Sequence, residues 1–387
     1  MTPQSVAEQA LGFAERPAGE SGAIRPASDL LVVELVRAAT LAPSPDNNQP
    51  WRFEFREGRL LVFADASRGL PSDTDGMFCL LALGAAVENI CLAARAMGYA
   101  PTVKCLVEKP PLGAAAACPP VAEVTFQPSD AERDPLVDQL TLRCTCRRPF
   151  DVRAIGPEKL ARLSAAAAEA GDVRVDWLLR REELDSVAQL VAAGDRIRFE
   201  YQPFHAELYR QLRFRRAEAE QTRDGLDLRT LELPPGGGLM LHLLRSWTFL
   251  SALNRLGFSR LLTLSAAKLV RCSGAIGALS VPECEGAAAM AHYLAAGRAF
   301  QRLWLTTHSE GLALHPLGSL PIFMRPSAQR AALPRHRRLA EKITREFAAL
   351  VPETSQRVTT ILFRIGHAKP PDVRSLRRSP EDVLEQF

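Results

Sequence analysis

The chain has 387 residues, enough for about two or three domains of ordinary size. With 47% hydrophobic and 24% charged residues it has the composition of a globular protein, which excludes a disordered chain, a collagen-like chain and a small disulfide scaffold. The net charge is +4, from 48 basic and 44 acidic residues, and this balance predicts neither a nucleic-acid nor a membrane partner.

The N-terminal segment lacks the basic and apolar regions of a secretory signal, and we expect a mobile extension over residues 1–24. The most apolar stretch, residues 77–100, is interrupted by Glu88, Asn89 and Arg95, so no membrane-spanning helix is predicted.

The eight cysteines are scattered along the chain. Cys79 and Cys91 lie inside apolar runs, which is typical of reduced, buried thiols in a cytoplasmic protein. Cys144 and Cys146 lack the two-residue spacing of a zinc half-site and no second pair follows, so we expect no metal.

The first half of the chain, residues 25–135, has the pattern of a compact α+β unit. Apolar residues at helical spacing come first, a Pro-rich polar turn breaks that helix, and alternating apolar residues then predict two strands. A long apolar helix ends at Gly98 and a further strand follows. The predicted elements are a helix at 29–42, strands at 51–55 and 59–65, a helix at 76–97 and a strand at 121–127.

The pattern restarts in the second half, residues 136–387. Here a long, mostly helical stretch separates the early elements from the later ones, and its part near 210–272 is interpreted as a lid-like insertion. The predicted elements are a helix at 157–170, a strand at 173–179, helices within 182–272, a strand at 274–282, a helix at 286–310 and a strand at 359–368.

The two long apolar helices match without gaps. Gly84-x-Ala86 with Gly98 corresponds to Gly297-x-Ala299 with Gly311, at one constant offset of 213 residues. Any two amphipathic helices share some small positions, but the matching terminal glycines favour a tandem duplication. A fused pair of this kind can reproduce a two-fold dimer inside one chain.

The strongest candidate for a binding element is the segment 42–53, with the sequence APSPDNNQPWRF. A helix ends here, a polar turn presents hydroxyl and amide groups, and a strand begins. Such a turn can hydrogen-bond a polar heterocycle from several directions. The alternative is a plain connection between a helix and a strand.

A second candidate is the segment 143–150, RCTCRRPF. If it is extended, Arg143, Thr145 and Arg147 share one side, and two guanidinium groups with a hydroxyl between them suit a phosphate. The alternative is a solvated basic linker. Two further candidates are a basic tail at 374–378 and the loop 311–319, where His315 lies.

These motifs, in this order, resemble those of the FMN-dependent nitroreductase superfamily. The segment 42–53 is similar to its A-P-S-x-x-N-x-Q-P-W-x-F motif, and 143–147 to its R-x-S/T-x-R/K opening motif. Residues 316–318 resemble its loop beside the isoalloxazine ring, and the R-R-x-x-x-D-V-L tail from Arg377 is that of the single-chain tandem (Acg-like) subgroup. The resemblance covers about residues 25–387.

The resemblance implies a nitroreductase-like α+β fold in which the two tandem halves form an intramolecular pseudo-dimer. It also implies one FMN per chain, held between a polar turn from the first half and basic motifs from the second. The implied cofactor-binding residues are Pro43, Ser44, Asn47, Gln49, Arg143, Thr145, Arg147, Pro316, Leu317, Gly318, Arg377 and Arg378.

By the same resemblance the protein is an oxidoreductase. NAD(P)H, as a transient donor, would pass hydride through FMN N5 to a small organic acceptor: a nitro compound, a quinone, an enone or a biosynthetic intermediate. Flavin supplies the chemistry, so no catalytic side chain is assigned. The alternative is a non-catalytic flavin-sequestering protein whose cleft is occluded by the lid. A homodimer and a biosynthetic partner enzyme both stay open, and a cytoplasmic location is expected.

Overall fold

The computed structural model describes residues 29–111, 119–331, 334–352 and 356–385. The extension expected over residues 1–24 lies outside this part. The fold is a mixed α+β structure with fourteen α-helices in the described residues: α1 (Asp29–Thr40), α2 (Met77–Ala96), α3 (Pro157–Ala168), α4 (Arg181–Glu200), α5 (Gln202–Gln211), α6 (Arg216–Thr222), α7 (Gly237–Leu243), α8 (Trp247–Asn254), α9 (Phe258–Leu262), α10 (Leu264–Arg271), α11 (Gly286–Ser309), α12 (Ser319–Met324), α13 (Pro326–Ala331) and α14 (Pro334–Leu350).

Eleven strands are described, in two main sheets and one short pair. They are β1 (Trp51–Arg56), β2 (Arg59–Ala64), β3 (Tyr99–Cys105), β4 (Ala122–Pro128), β5 (Arg174–Leu178), β6 (Leu212–Arg213), β7 (Leu226–Asp227), β8 (Ala275–Pro282), β9 (Ala313–Pro316), β10 (Arg357–Gly366) and β11 (Leu384–Glu385).

The two main sheets have the same internal order. The first runs β11-β1-β2-β4-β3 and the second β5-β8-β10-β9. Within each, the four strands of the half pair antiparallel, with the third strand in the sequence at the edge. The helices follow the same scheme, since α1 and α3 precede their sheets and α2 and α11 follow the second strands. The two halves therefore share one topology.

The chain's last strand belongs to the other half's sheet. Strand β11 pairs parallel with β1, placing Leu384 opposite Phe53. The C-terminal segment thus leaves the second sheet at β10 and crosses to the first. This crossing brings the basic tail beside the polar turn that precedes β1.

Most predicted elements are confirmed, and three edge strands of the two main sheets, β3, β9 and β11, were missed. In β1 the alternation is clear, with Trp51 and Phe53 fully buried and Arg52 and Glu54 partly exposed. Strand β3 contains Pro101, and β9 ends at Pro316 where a loop was expected. Proline removes a ladder donor and is tolerated in edge strands, so its presence argues against a strand until the sheet order is known.

The insertion is a helical layer between β5 and β8. Helices α4 to α10 occupy residues 181–271, so the stretch expected near 210–272 forms its later part. Helix α4 packs against α10, α14, α5 and α12. It therefore connects the insertion to the second half.

The two halves meet where α2 crosses α11. A Cβ added to Gly84 would lie 2.1 Å from the carbonyl oxygen of Leu294, and one added to Gly297 would lie 2.2 Å from that of Leu81. The backbones of the two helices are therefore in direct contact. Gly84 and Gly297, which the 213-residue offset aligns, therefore meet at this crossing.

A buried polar cluster flanks this crossing. The carboxylate of Glu88 accepts hydrogen bonds from Arg298 and Arg302, both at 2.9 Å, and Gln301 donates to Asn89 at 2.7 Å. With the same offset, residues 88 and 89 correspond to 301 and 302, so the pairs 88–302 and 89–301 exchange under two-fold symmetry. Reciprocal pairs of this kind are what a two-fold axis through the crossing would produce.

Helix α2 is long and apolar enough to span a membrane by length and composition alone, but the whole stretch is buried inside the protein. Burial of this kind is typical of the central helix of a packed core.

We predict that Gly84→Ala destabilises the protein by about 1–3 kcal/mol or more, because the new methyl group collides with a backbone carbonyl that cannot move away. The matched control is Gly194→Ala in α4, where the nearest atoms lie 3.5 Å away and a helix-interior alanine is expected to be neutral or stabilising. Denaturant unfolding measures both variants. Equal stability of the two would contradict the close crossing.

Candidate functional site

A cavity of about 340 Å³ lies between the two halves, beside the crossing of α2 and α11. Its apolar wall comes from both helices and consists of Phe78, Leu81, Ala82, Ala85, Phe300 and Trp304. Ten of the twelve residues expected at the site line this cavity: Pro43, Ser44, Asn47, Arg143, Thr145, Arg147, Pro316, Leu317, Gly318 and Arg377.

The segment 143–147 is extended along the edge of the second sheet. Thr145 forms a parallel bridge with Leu314 of β9, and the Cys146 amide donates to the Leu314 carbonyl at 3.1 Å. This pairing directs residues 143, 145 and 147 to one side, and all three line the cavity. The extended conformation on which the sequence argument depended is therefore confirmed.

Two guanidinium groups in the cavity lack any carboxylate partner within 4 Å in the described part of the chain. Arg143 donates to the Leu41 carbonyl at 2.9 Å and lies over the Trp304 ring at 4.6 Å, and Arg377 donates to Asn47 Oδ1 at 2.8 Å. The Nε atom of each is buried without a hydrogen-bond partner. Burial lowers the pKa of Arg143 to about 9 and that of Arg377 to about 10.

Arg147 adds a third positive charge to the same wall. Its guanidinium donates to the Thr230 carbonyl at 3.0 Å, and its backbone amide donates to Glu232 at 2.8 Å. Burial lowers the pKa of Arg147, although Asp46 and Glu232 act in the opposite direction. The three cations remain charged at neutral pH, and unpaired buried N–H groups are costly unless an acceptor satisfies them. This wall is therefore suited to an anion.

The polar turn of the first half is held in an unusual backbone conformation. Asp46, Asn47 and Gln49 have φ angles of 48°, 57° and 51°. The left-handed region is unfavourable for residues other than glycine, and such strain is typical of functional sites. Ser44 Oγ supports the turn by accepting a hydrogen bond from the Gln49 amide at 3.0 Å.

The side-chain amide of Asn47 is used mainly within the protein. Its Nδ2 donates to the carbonyls of Gly225 and Leu376 at 3.0 and 3.1 Å, and its Oδ1 accepts from Arg377. Asn47 therefore connects the turn, the insertion and the tail, and it positions the guanidinium of Arg377.

Gln49 and Arg378 do not line the cavity. Gln49 is fully buried, donates to the Arg223 carbonyl at 2.8 Å and accepts from the Arg378 amide at 2.9 Å. The Arg378 side chain turns away to donate to the Asp382 carbonyl at 2.5 Å. Both residues hold the tail against the polar turn.

The end of β9 and the two residues after it contribute His315, Pro316, Leu317 and Gly318 to the cavity. His315 Nδ1 lies 3.1 Å from the Arg364 Nε–H and accepts its hydrogen bond. Burial and the charges of Arg364 and Arg147 hold the pKa of His315 well below its usual value. The imidazole is therefore neutral, and because Nδ1 accepts from Arg364, its proton is on Nε2, which is available to donate.

The insertion supplies a wall that the sequence did not assign to the site. Its lining residues are Val191, Asp195, Arg198, Leu208, Leu226, Ala266 and Leu269. Arg198 lies 3.4 Å from the Asp46 carboxylate and 3.8 Å from Glu207, which ties the insertion to the polar turn. The spacing of residues 191, 195 and 198 predicts that they share one face of a helix. This spacing does not indicate what that face contacts, so the sequence could not assign it to the site.

Asp73 lies at the rim of the cavity and caps α2. Its carboxylate accepts hydrogen bonds from the amides of Phe78 and Cys79 at 3.0 and 2.8 Å. Burial raises the pKa of Asp73 to about 7, and nearby Asp75 and Glu207 add to this shift.

We predict that Asp73 lowers stability as the pH rises from about 4 to about 7. In that range the folded protein retains a proton that the unfolded chain has released. In Asp73→Asn the unfolding free energy is therefore expected to decrease less over this pH range than in wild type. Asp130→Asn, at an exposed site, is expected to leave the decrease unchanged. Urea unfolding at a series of pH values measures the difference, and parallel curves for wild type and Asp73→Asn would contradict it.

No family model matches the chain. An uncharacterised protein of Mycobacterium tuberculosis strain CDC 1551 is 28% identical over 356 residues, which is 91% of this chain and 48% of that protein. The chain thus spans about half the length of this curated relative.

Among solved structures, an FMN- and NADPH-dependent nitroreductase NfnB of Sphigopyxis sp. strain HMH is 15% identical, with 65% of this chain and 98% of that chain covered and a TM-score of 0.37. The FMN-dependent nitroreductase NfnB of Mycobacterium smegmatis, solved with NADPH, is 16% identical, with 64% and 96% covered and a TM-score of 0.36. Scores at this level assign no function to this chain.

Proposed function

We propose that this protein is an FMN-binding oxidoreductase of the nitroreductase type, with its site between two tandem halves that form an intramolecular pseudo-dimer. NAD(P)H would be its transient electron donor and a small organic molecule its acceptor. The proposal combines the motifs at 42–53, 143–147, 316–318 and 377–378 with the geometry of the cavity that most of them line.

The observation that carries the proposal is the cationic wall. Arg143, Arg147 and Arg377 come from distant parts of the chain and meet at one cavity, and two of them leave a buried Nε without an acceptor. A phosphate monoester supplies three acceptor oxygens and about two negative charges, which would satisfy these groups. The remainder of the cavity offers apolar side chains and a polar turn, as a flavin ring requires.

When bound, FMN would supply hydride transfer between a nicotinamide donor and the acceptor. The chain's own residues would hold it. Arg143, Arg147 and Arg377 would bind its phosphate, and Thr145 would add a hydroxyl donor. The turn at Pro43 and Ser44 and the loop Pro316–Gly318 would contact its ring system, with His315 as a neutral donor nearby.

The pseudo-dimer is supported by three features of this chain. The two sheets share one strand order, Gly84 and Gly297 meet at the crossing of α2 and α11, and the polar pairs beside the crossing exchange under two-fold symmetry. The sequence contains only one set of basic motifs that could form such a cationic wall, so we propose one FMN per chain.

The sequestering alternative is favoured by one observation. A cavity of about 340 Å³ is near the lower limit of about 300 Å³ for small-molecule sites, and the insertion forms one of its walls. If FMN filled most of this volume, the insertion would limit the entry of a donor or an acceptor. Movement of the insertion is therefore what distinguishes an oxidoreductase from a flavin-sequestering protein.

We predict that the purified protein binds FMN more tightly than riboflavin, because only FMN carries the phosphate. Arg143→Gln and Arg377→Gln are each expected to weaken FMN binding roughly 10- to 100-fold with little effect on riboflavin. Arg378→Gln is the matched control, since that side chain lies outside the cavity. Fluorescence titration of wild type and the three variants with each flavin measures the affinities. If Arg378→Gln weakened FMN binding as much as the other two substitutions, the assignment of Arg143 and Arg377 to the phosphate would be contradicted.

We also predict that anaerobic NADH or NADPH bleaches the flavin absorbance of the loaded protein. Arg198→Gln, which releases the insertion from Asp46, is expected to accelerate bleaching if movement of the insertion limits access. Dithionite serves as the positive control for reducible flavin. Bound flavin that only dithionite bleaches would favour sequestration over turnover.

A further inference from the structure

The outer helices of the insertion expose a concentration of apolar side chains. Thirteen large hydrophobic residues are exposed in the described part of the chain, and seven of them lie in one stretch between residues 239 and 264. These seven are Leu239, Met240, Leu243, Phe249, Leu256, Leu261 and Leu264. We call residues 237–271, which form α7 to α10, the outer layer.

The outer layer carries positive charge and no carboxylate. It contains no Asp or Glu, and its five exposed cations are Arg245, Arg255, Arg260, Lys268 and Arg271. Of these, Arg271 alone has a carboxylate partner in the described residues, Asp185 at 2.8 Å. The net charge of the whole chain does not reveal this local excess of positive charge.

Charge argues against a second copy of the chain as the partner. A two-fold dimer through the outer layer would place the same patch on itself, with cations facing cations and no carboxylate to neutralise them. An anionic partner has the complementary charge.

The position of the exposed Leu256 favours a membrane over a protein as the partner. Leu256 is 86% exposed at the turn between α8 and α9, with Arg255 before it and Gly257, at a φ of +82°, after it. A single leucine standing clear of a turn beside cations can enter the acyl boundary while its neighbours contact lipid phosphates.

We propose that the outer layer binds peripherally to membranes that contain anionic phospholipids. Leu256, Leu261 and Leu264 enter the boundary between headgroups and acyl chains, and the unpaired cations bind the phosphates. The proposal goes beyond the flavin site and does not depend on it. Binding would nevertheless place the cavity beside lipid, because α10 exposes Leu264 and Lys268 and also lines the cavity with Ala266 and Leu269.

Co-sedimentation of the full chain with vesicles tests this. The protein is expected to bind vesicles of equal parts phosphatidylglycerol and phosphatidylcholine, to bind phosphatidylcholine vesicles much less, and to be released by added salt. Arg255→Gln with Arg260→Gln is expected to weaken binding roughly fivefold per cation removed. The control with equal charge loss is Arg56→Gln with Arg133→Gln, two exposed residues outside the outer layer, and it is expected to bind as wild type.

The apolar contribution has its own pair of variants. Leu256→Ser is expected to weaken vesicle binding roughly tenfold, whereas Leu30→Ser, at an exposed site on α1, leaves it unchanged. Both sites are exposed, so equal thermal unfolding should show that the fold persists.

Three results would overturn the proposal. One is equal binding to vesicles with and without phosphatidylglycerol, and another is equal loss in the outer-layer and control variants. The third is a wild-type dimer that does not bind vesicles and that Leu256→Ser converts to monomer, which would assign the outer layer to a second copy.

Discussion

Helices α2 and α11 approach each other backbone to backbone at Gly84 and Gly297, and the rest of the structure depends on that crossing. Because neither residue has a Cβ, the two helices are closer than side chains would permit, and this register places both glycines at the contact. The buried ion pairs of Glu88 with Arg298 and Arg302 reinforce it, since a shifted register would leave a buried carboxylate unpaired. The crossing also fixes the separation of the apolar side chains that wall the cavity.

A second constraint is the placement of buried positive charge. Arg364 is fully buried and donates to the carbonyls of Leu269 and Arg148 at 3.1 and 2.9 Å, while its ring contact is Phe150 at 3.9 Å. It thereby joins β10, the segment after Thr145 and the end of α10. Satisfied by carbonyls, Arg364 is a structural cation. Arg143 and Arg377 differ from it because each lines the cavity and keeps a buried Nε without an acceptor.

The insertion has two surfaces with different chemistry. Its inner side contributes Asp195 and Arg198 to the cavity and is tied to the polar turn through Asp46. Its outer side carries exposed leucines and cations without a carboxylate. One element thus lines the cavity and presents seven of the thirteen exposed large hydrophobic residues of the described part of the chain. Motion of the insertion would affect both surfaces together.

The sequence by itself indicated the elements with strong periodicity and the alignment of Gly84 with Gly297 at a constant offset. It also indicated that Arg143, Thr145 and Arg147 share one side if their segment is extended. These depend on local spacing, which the chain carries wherever it folds. The tertiary structure alone decided that β3 and β9 are strands, because an edge position tolerates their prolines, and that Gln49 and Arg378 hold the tail while Arg377 enters the cavity. It also decided that α4 and α10 complete the wall. Neighbouring residues in a basic pair look alike in sequence, and only long-range contacts determine which side chain lines the cavity.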